Sequence, residues 1–153
     1  MATVYGVNAD KILVDVPSAK VDASDKGGRV RMMYDKYTLT AALSQNDVVV
    51  MGDKLPKGAR IIEAKLKYDQ LDAAGGTADL GYAASDDAVE AADPNAFVDG
   101  ADVTSAGSTS SSTEAGIGKQ LAASVQPQIL VEASGGWDQT SGDIEMFIYY
   151  SLD

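Results

Sequence analysis

The chain has no cysteine and no histidine among its 153 residues. Without cysteine it has no disulfide, no thiolate nucleophile and no thiolate ligand for a metal ion. Without histidine it lacks the usual general base and the commonest imidazole ligand, which excludes Ser-His-Asp and Cys-His catalytic arrangements. Carboxylates, Lys, Tyr and Ser remain as the possible catalytic groups, and a hydrolase that uses carboxylates is the last-placed alternative. We predict no enzymatic activity, no metal site and no cofactor.

Basic residues and long apolar runs are also scarce. Twelve Lys and Arg stand against 23 Asp and Glu, so the formal net charge is −11. A field of that sign repels nucleic acid and anionic membrane surfaces, and neither is an expected partner. No apolar run approaches the roughly 20 residues that span a bilayer, and no secretory signal is visible. The hydrophobic share of 45% fits one globular domain.

The apolar residues recur with a period of two along much of the chain, a spacing typical of β-strands. The clearest strand is predicted over residues 60–69, and a turn at Gly75 and Gly76 then predicts a hairpin with residues 77–83. The apolar face of the first strand consists of Ile62, Ala64, Leu66 and Tyr68. Shorter strands are predicted around residues 47–51, 97–103 and 129–133.

Another period-two segment begins at Arg29, but its phase slips near Met33, which predicts a β-bulge or a short break. Its apolar side chains are Val30, Met32 and Tyr34 before the slip, and Tyr37 and Leu39 after it. The Ser/Thr/Gly-rich stretch 105–118 predicts a surface loop. One helical turn is predicted over residues 85–92, capped by Ser85 or Asp86.

The last strand, predicted over residues 142–152, is apolar on both faces. One face carries Ile144, Met146, Ile148 and Tyr150. Phe147 and Tyr149 lie on the other face beside Glu145. Such a strand is expected to be central in its sheet, or to meet a partner subunit with its outer face.

About seven or eight short strands without a long helical period indicate an all-β fold. A jelly-roll-like β-sandwich fits this count best, with an immunoglobulin-like sandwich as the alternative. Residues 29–153 are predicted to form this single domain. Residues 1–28 are predicted to be an extended N-terminal arm, and residues 12–16 as an edge strand of the domain are an equal alternative. The apolar anchors of the arm are Tyr5, Val7, Ile12, Val14 and Val16.

Two further features invite a functional interpretation. The acidic residues between 85 and 93 offer oxygen ligands of the kind Ca²⁺ prefers, but not with EF-hand spacing, so a solvated loop is favoured. They are Asp86, Asp87, Glu90 and Asp93. Trp137 is either a plug at the end of the sandwich, which we favour, or a stacking platform for a sugar ring.

Several segments, taken in their order along the chain, resemble the cement or head-decoration proteins of tailed bacteriophages. These segments are Tyr5–Asn8 with Lys11, Gly28–Arg31 with Tyr34 and Asp35, Leu55–Ala64, Thr77–Asp86, and Gly142–Ile144 with Ile148–Tyr150 and Asp153. The similarity touches most of the chain except residues 87–128.

The resemblance implies a virion structural protein with a jelly-roll-like fold. It implies homotrimers on the outer surface of the capsid, made in the host bacterial cytoplasm, that clamp neighbouring copies of the major capsid protein. The arm anchors would then contact neighbours, and Phe147 and Tyr149 would contact other subunits. A carbohydrate-binding module of a phage tail or fibre, using Trp137 and the loop 105–118, is the alternative.

Overall fold

The computed structural model of the chain describes residues 27–111, 113, 116–132 and 136–152. In these ranges it contains β-strands and no helix. The strands are β1 (Arg29–Thr38), β2 (Val48–Val50), β3 (Arg60–Tyr68), β4 (Thr77–Tyr82), β5 (Asp93–Asp102), β6 (Gly107–Ser110), β7 (Pro127–Val131) and β8 (Asp143–Leu152). No helix in the described part of the chain has the length and apolar composition needed to cross a membrane.

The strands form two four-stranded antiparallel sheets. Sheet I has the order β1-β8-β3-β6 and sheet II the order β2-β7-β4-β5. This is the arrangement of an eight-stranded jelly roll, whereas an immunoglobulin-like sandwich distributes its strands differently. The predicted jelly-roll-like fold is therefore confirmed, and β8 is central in sheet I, between β1 and β3.

The core lies between the two sheets. From β8 it receives Ile144, Met146 and Ile148, which are 0% exposed, and sheet II contributes Leu80 and Ile129, also 0% exposed. Burying a side chain of this size stabilises the fold by roughly 1.5–3 kcal/mol. The alternation of β8 thus places one apolar set fully inside, as its period-two pattern predicted.

One end of the sandwich, here called the four-loop end, is formed by the segments 39–47, 69–76 and 103–106 and by the described residues of 132–142. Trp137 lies there with 1% of its surface exposed, and its Nε1 donates a hydrogen bond to the carbonyl oxygen of Thr77 at 3.0 Å. Gly136 has φ +86°, and a Cβ there would lie 2.0 Å from the Leu43 carbonyl oxygen. Trp137 is therefore a plug of the sandwich, and the sugar-stacking interpretation is wrong.

The opposite end, here called the three-loop end, is formed by the segments 51–59 and 83–92 and by the described residues of 111–126. The start of β1 and the end of β8 also lie at this end. The predicted helical turn over residues 85–92 is wrong. The Ser85 hydroxyl instead accepts a hydrogen bond from the Glu90 N–H at 2.9 Å, which closes a non-helical turn.

The predicted hairpin between residues 60–69 and 77–83 is also wrong. β3 belongs to sheet I and pairs with β8 and β6, whereas β4 belongs to sheet II and pairs with β5 and β7. The intervening segment crosses from one sheet to the other instead of turning back. The predicted loop 105–118 contains β6, which pairs with the outer edge of β3 and has no apolar side chain to reveal it.

The phase slip near Met33 is absent, because β1 runs in unbroken register with β8 from Arg29 to Thr38. The irregularity lies in β3 instead, between Ile61 and Glu63. It leaves Ile62, which the pattern placed on the buried face, 42% exposed. In β1 the apparent slip arises because the first apolar set faces outward and the second inward.

The anchors Tyr5, Val7, Ile12, Val14 and Val16 lie outside the described residues, as does nearly all of the predicted arm.

Candidate interaction surface

The outer face of sheet I carries a strip of apolar side chains from two neighbouring strands. The strip, called the outer strip below, consists of Val30, Met32 and Tyr34 on β1 and Phe147 and Tyr149 on β8. Met32 lies directly opposite Tyr149, and Tyr34 directly opposite Phe147. The last two rings are 5.0 Å apart and tilted by 48°. Two predicted contact residues thus belong to a larger surface.

The β1 residues are the more exposed part of the outer strip. The exposed fractions of Val30, Met32 and Tyr34 are 66%, 56% and 47%. Phe147 and Tyr149 are half-buried, because β8 is flanked by a strand on each side. The β1 residues were not among the predicted contact residues, because their period-two spacing predicted a strand without deciding which of its faces is buried. Each of them lies an odd number of residues from the inward-facing Met33 and Tyr37, and this spacing places them on the opposite face.

Charged side chains border the outer strip, and they neutralise one another. Lys67 Nζ lies 2.6 Å from Glu145 Oε1, and the Tyr34 hydroxyl donates to Glu145 Oε2 at 3.1 Å. Lys36 Nζ lies 3.0 Å from Asp143 Oδ2. The hydrogen bond from Lys67 holds the pKa of Glu145 below its ordinary value. This border is therefore close to neutral on a chain whose net charge is −11.

The β3 side of the border follows the same pattern. Lys65 Nζ lies 3.4 Å from Glu63 Oε1, and both residues sit opposite outer-strip residues of β8. An apolar centre with a polar, charge-balanced rim is the usual anatomy of a protein–protein interface. The arrangement can bury apolar surface against another protein. It brings together no nucleophile with a base.

A second polar cluster lies at the three-loop end and ties two of its loops together. Lys119 Nζ lies 2.6 Å from Glu90 Oε1 and is hydrogen-bonded to the Tyr82 hydroxyl. Tyr82 is 0% exposed and Glu90 is 8% exposed. The hydrogen bond from Lys119 lowers the pKa of Glu90, and burial raises the pKa of Tyr82. These groups satisfy one another's hydrogen bonds and hold the two loops together.

The acidic residues between 85 and 93 do not converge on a shared point. Asp86 is paired with Lys54 at 2.5 Å, Asp87 accepts a hydrogen bond from Ser85 at 2.6 Å, and Glu90 is held by Lys119. Asp86, Asp87 and Glu90 therefore each have a partner of their own in the fold. That this acidic loop binds no cation stays a prediction.

A different carboxylate cluster forms on sheet II, from residues far apart in the sequence. Carboxylate oxygens of Asp79, Asp99 and Glu132 lie within 4.8 Å of one another. Asp79 is 2% exposed and accepts a hydrogen bond from the Gly100 N–H at 2.7 Å. Burial raises the pKa of Asp79 to about 6, and the two neighbouring carboxylates act in the same direction. Carboxylates can ligate hard cations, but a retained proton relieves this repulsion without one.

Comparisons with known proteins identify the fold. No protein-family model matches the chain, and no curated protein matches it. A chain of the cyanophage Pam1 capsid asymmetric unit is similar in structure, with a TM-score of 0.67 and 21% identity over 92% of this chain and 99% of that chain. A chain of the capsid of Ralstonia phage GP4 gives a TM-score of 0.65 and 19% identity over 82% and 86%. At these identities the likeness establishes a shared fold.

Proposed function

We propose that this chain is a capsid cement or decoration protein of a bacteriophage. It is made in the host cytoplasm, forms homotrimers, binds the outer surface of the head and stabilises contacts between copies of the major capsid protein. The observation that carries the proposal is the extent of the structural likeness. Nearly the whole of this chain corresponds to 99% of a chain from a phage capsid.

The outer strip supports a role in assembly. Exposed Val30 and Met32 beside half-buried Phe147 and Tyr149 leave apolar surface that folding does not use. The neutral border allows two copies to approach there in spite of their net charge of −11. In the proposed trimer this surface forms the subunit contact, and the arm contacts the shell.

The subunit contact is tested with F147S/Y149S. We expect this variant to shift the protein from trimer to monomer in sedimentation, because it removes the aromatic centre of the strip. The matched control is V48S/V50S, which removes two exposed apolar side chains, 45% and 64% exposed, from sheet II. The control should keep the wild-type mass. An unchanged mass for F147S/Y149S would place the subunit contact elsewhere.

The arm is tested by deleting residues 1–16. The deletion should abolish binding to undecorated heads while the free energy of unfolding of the sandwich is retained, since in this proposal the arm contacts the shell and the described core lies between the two sheets. A milder variant changes the anchors Tyr5, Val7, Ile12, Val14 and Val16 to Ser. If the truncated protein still occupies heads fully, the arm does not carry the contact. If the full-length protein ignores heads altogether, the proposed function is wrong.

A further inference from the structure

The first residues of β1, at the edge of sheet I, are not covered on either face of the sheet. Arg29, Val30, Arg31 and Met32 are all exposed, although each has a paired residue on β8, from Leu152 to Tyr149. From Met33 onward the inward-facing side chains of β1 pack against the core. The segment Arg29–Met32, called the overhang below, is therefore open to solvent on both of its faces.

The two faces of the overhang differ chemically. Val30 and Met32 continue the outer strip. Arg29 and Arg31 lie on the opposite side, the side that faces sheet II further along the strand. Within the described residues, neither guanidinium takes part in an ion pair or a side-chain hydrogen bond. The overhang thus presents two adjacent cations on a chain that is acidic overall.

The charges of the chain are also divided between the two ends of the sandwich. The four segments of the four-loop end contain five carboxylate residues and no Lys or Arg. They are Asp47, Asp69, Asp72, Glu132 and Asp138. The described segments of the three-loop end contain Lys54, Lys57 and Lys119 against four carboxylate residues, and the nearby strand starts add Arg29, Arg31 and Arg60 against Asp93. The four carboxylate residues are Asp53, Asp86, Asp87 and Glu90. An anionic partner therefore meets the least repulsion at the three-loop end.

We propose that Arg29 and Arg31 form a docking site for an acidic surface of the shell protein, so that the three-loop end faces the shell. This inference rests on the proposed function. The guanidinium group is planar and can donate two parallel hydrogen bonds to one carboxylate. Two neighbouring guanidinium groups therefore suit a pair of Asp or Glu side chains. The start of β1 lies at this same end, so the proposed arm and the overhang would reach the shell together.

Two other occupants fit the overhang less well. In a symmetric contact between copies through β1, Arg29 and Arg31 of one copy would face the same pair of its partner, and like charges would repel. Nucleic acid would meet two cations within a field set by a net charge of −11. A carboxylate-bearing protein surface satisfies the guanidinium groups without requiring a broad basic patch.

The test compares two variants with the same net charge. R29Q/R31Q removes both cations, and T40E/A42E adds two anions at exposed positions of the four-loop end, so each changes the net charge by −2 relative to the chain's −11. We expect R29Q/R31Q to bind undecorated heads about tenfold more weakly or worse, since each lost charge-assisted contact alone is of that order. T40E/A42E should bind as the wild type does. The binding of R29K/R31K should be intermediate, because lysine keeps the charge but cannot form the bidentate hydrogen bonds of arginine.

The outcomes separate this inference from the proposed function. If the wild type binds heads and R29Q/R31Q binds equally well, the docking site is wrong and the proposed function stands. If the wild type does not bind heads, the docking site and the proposed function are both wrong. If R29Q/R31Q changes the sedimentation mass, the arginines contact another copy of the chain and the inference is overturned. If the wild type binds duplex DNA and R29Q/R31Q does not, the arginines bind nucleic acid and the inference is overturned as well. Should R29Q/R31Q fail to fold, wild-type binding that does not weaken with added salt overturns it equally.

Discussion

The two faces of β8 have similar apolar content and different roles. The inner residues Ile144, Met146 and Ile148 are 0% exposed, whereas the outer residues Phe147 and Tyr149 remain half-buried in the isolated chain. The inner set is therefore part of what makes the chain fold, and the outer set is available to another molecule. Apolar patterning alone does not separate these roles, because both sets obey the same period of two.

The sharpest test of this contrast is a truncation on the inner face. Ile148→Ala should lower the free energy of unfolding by about 2–5 kcal/mol, because it leaves a cavity between two sheets that cannot collapse fully. Urea unfolding followed by far-UV circular dichroism measures the loss. Phe147→Ala, one residue earlier on the outer face, is the matched variant and should cost much less. Equal losses for the two variants would contradict the contrast.

The same comparison extends to charged pairs inside and outside the fold. Lys119→Met leaves the buried Glu90 carboxylate and Tyr82 hydroxyl without their main partner, and we expect it to cost about 1–3 kcal/mol. Lys67→Met breaks the exposed pair with Glu145 and should cost less than Lys119→Met, because solvent screens that pair. Chemical denaturation of both variants checks the order. A larger loss for Lys67→Met would show that the outer border stabilises the fold itself.

The carboxylate cluster of sheet II gives a smaller effect that depends on pH. The pKa of Asp79 is about 6 in the folded chain against an ordinary value of 3.8. Between these values the folded state holds a proton that the unfolded state has released, so the free energy of unfolding decreases as the pH rises through this window. Near pH 7, where Asp79 is largely ionised, its buried charge lowers the free energy of unfolding by an amount on the order of 1–2 kcal/mol.

Asp79→Asn should therefore stabilise the protein near neutral pH and flatten its stability between about pH 5 and pH 7. Asn can still accept the hydrogen bond from Gly100 through its carbonyl oxygen. Melting temperatures of both proteins across this range provide the measurement, with Asp138→Asn as a control outside the cluster. A variant less stable than the wild type at pH 7 would mean that the ionised carboxylate is stabilised by an interaction stronger than its burial penalty.

Much of the fold could be predicted from local sequence. The strand β8 and the sandwich class follow from alternation and frequent turns, and the central position of β8 follows from its two apolar faces. The pairing between strands was harder to predict from local sequence. The turn at Gly75 and Gly76 marks where β3 and β4 are separated, but it does not say whether the chain returns to the same sheet.

The errors have physical causes in particular residues. Val30, Met32 and Tyr34 were treated as one apolar series with Tyr37 and Leu39. They face outward, whereas the later residues face inward, and this difference produced the apparent slip in β1. The strand β6 escaped notice because Ser and Thr at an edge carry no hydrophobic signal. The cluster of Asp79, Asp99 and Glu132 depends on three strands meeting across long sequence separations, which no local pattern reports.

The antiparallel neighbours β1 and β8 have a mechanical consequence. Because the start of β1 lies beside the end of β8, pulling those two points apart would load the hydrogen bonds between the strands one after another, like a zipper. A force applied instead between the start of β1 and the outer-strip residues of β8 would act along the strands and load several of these bonds together. The molecule would thus resist tension weakly when stretched between the two neighbouring strand ends, and more strongly when the second force acts on the outer face of β8.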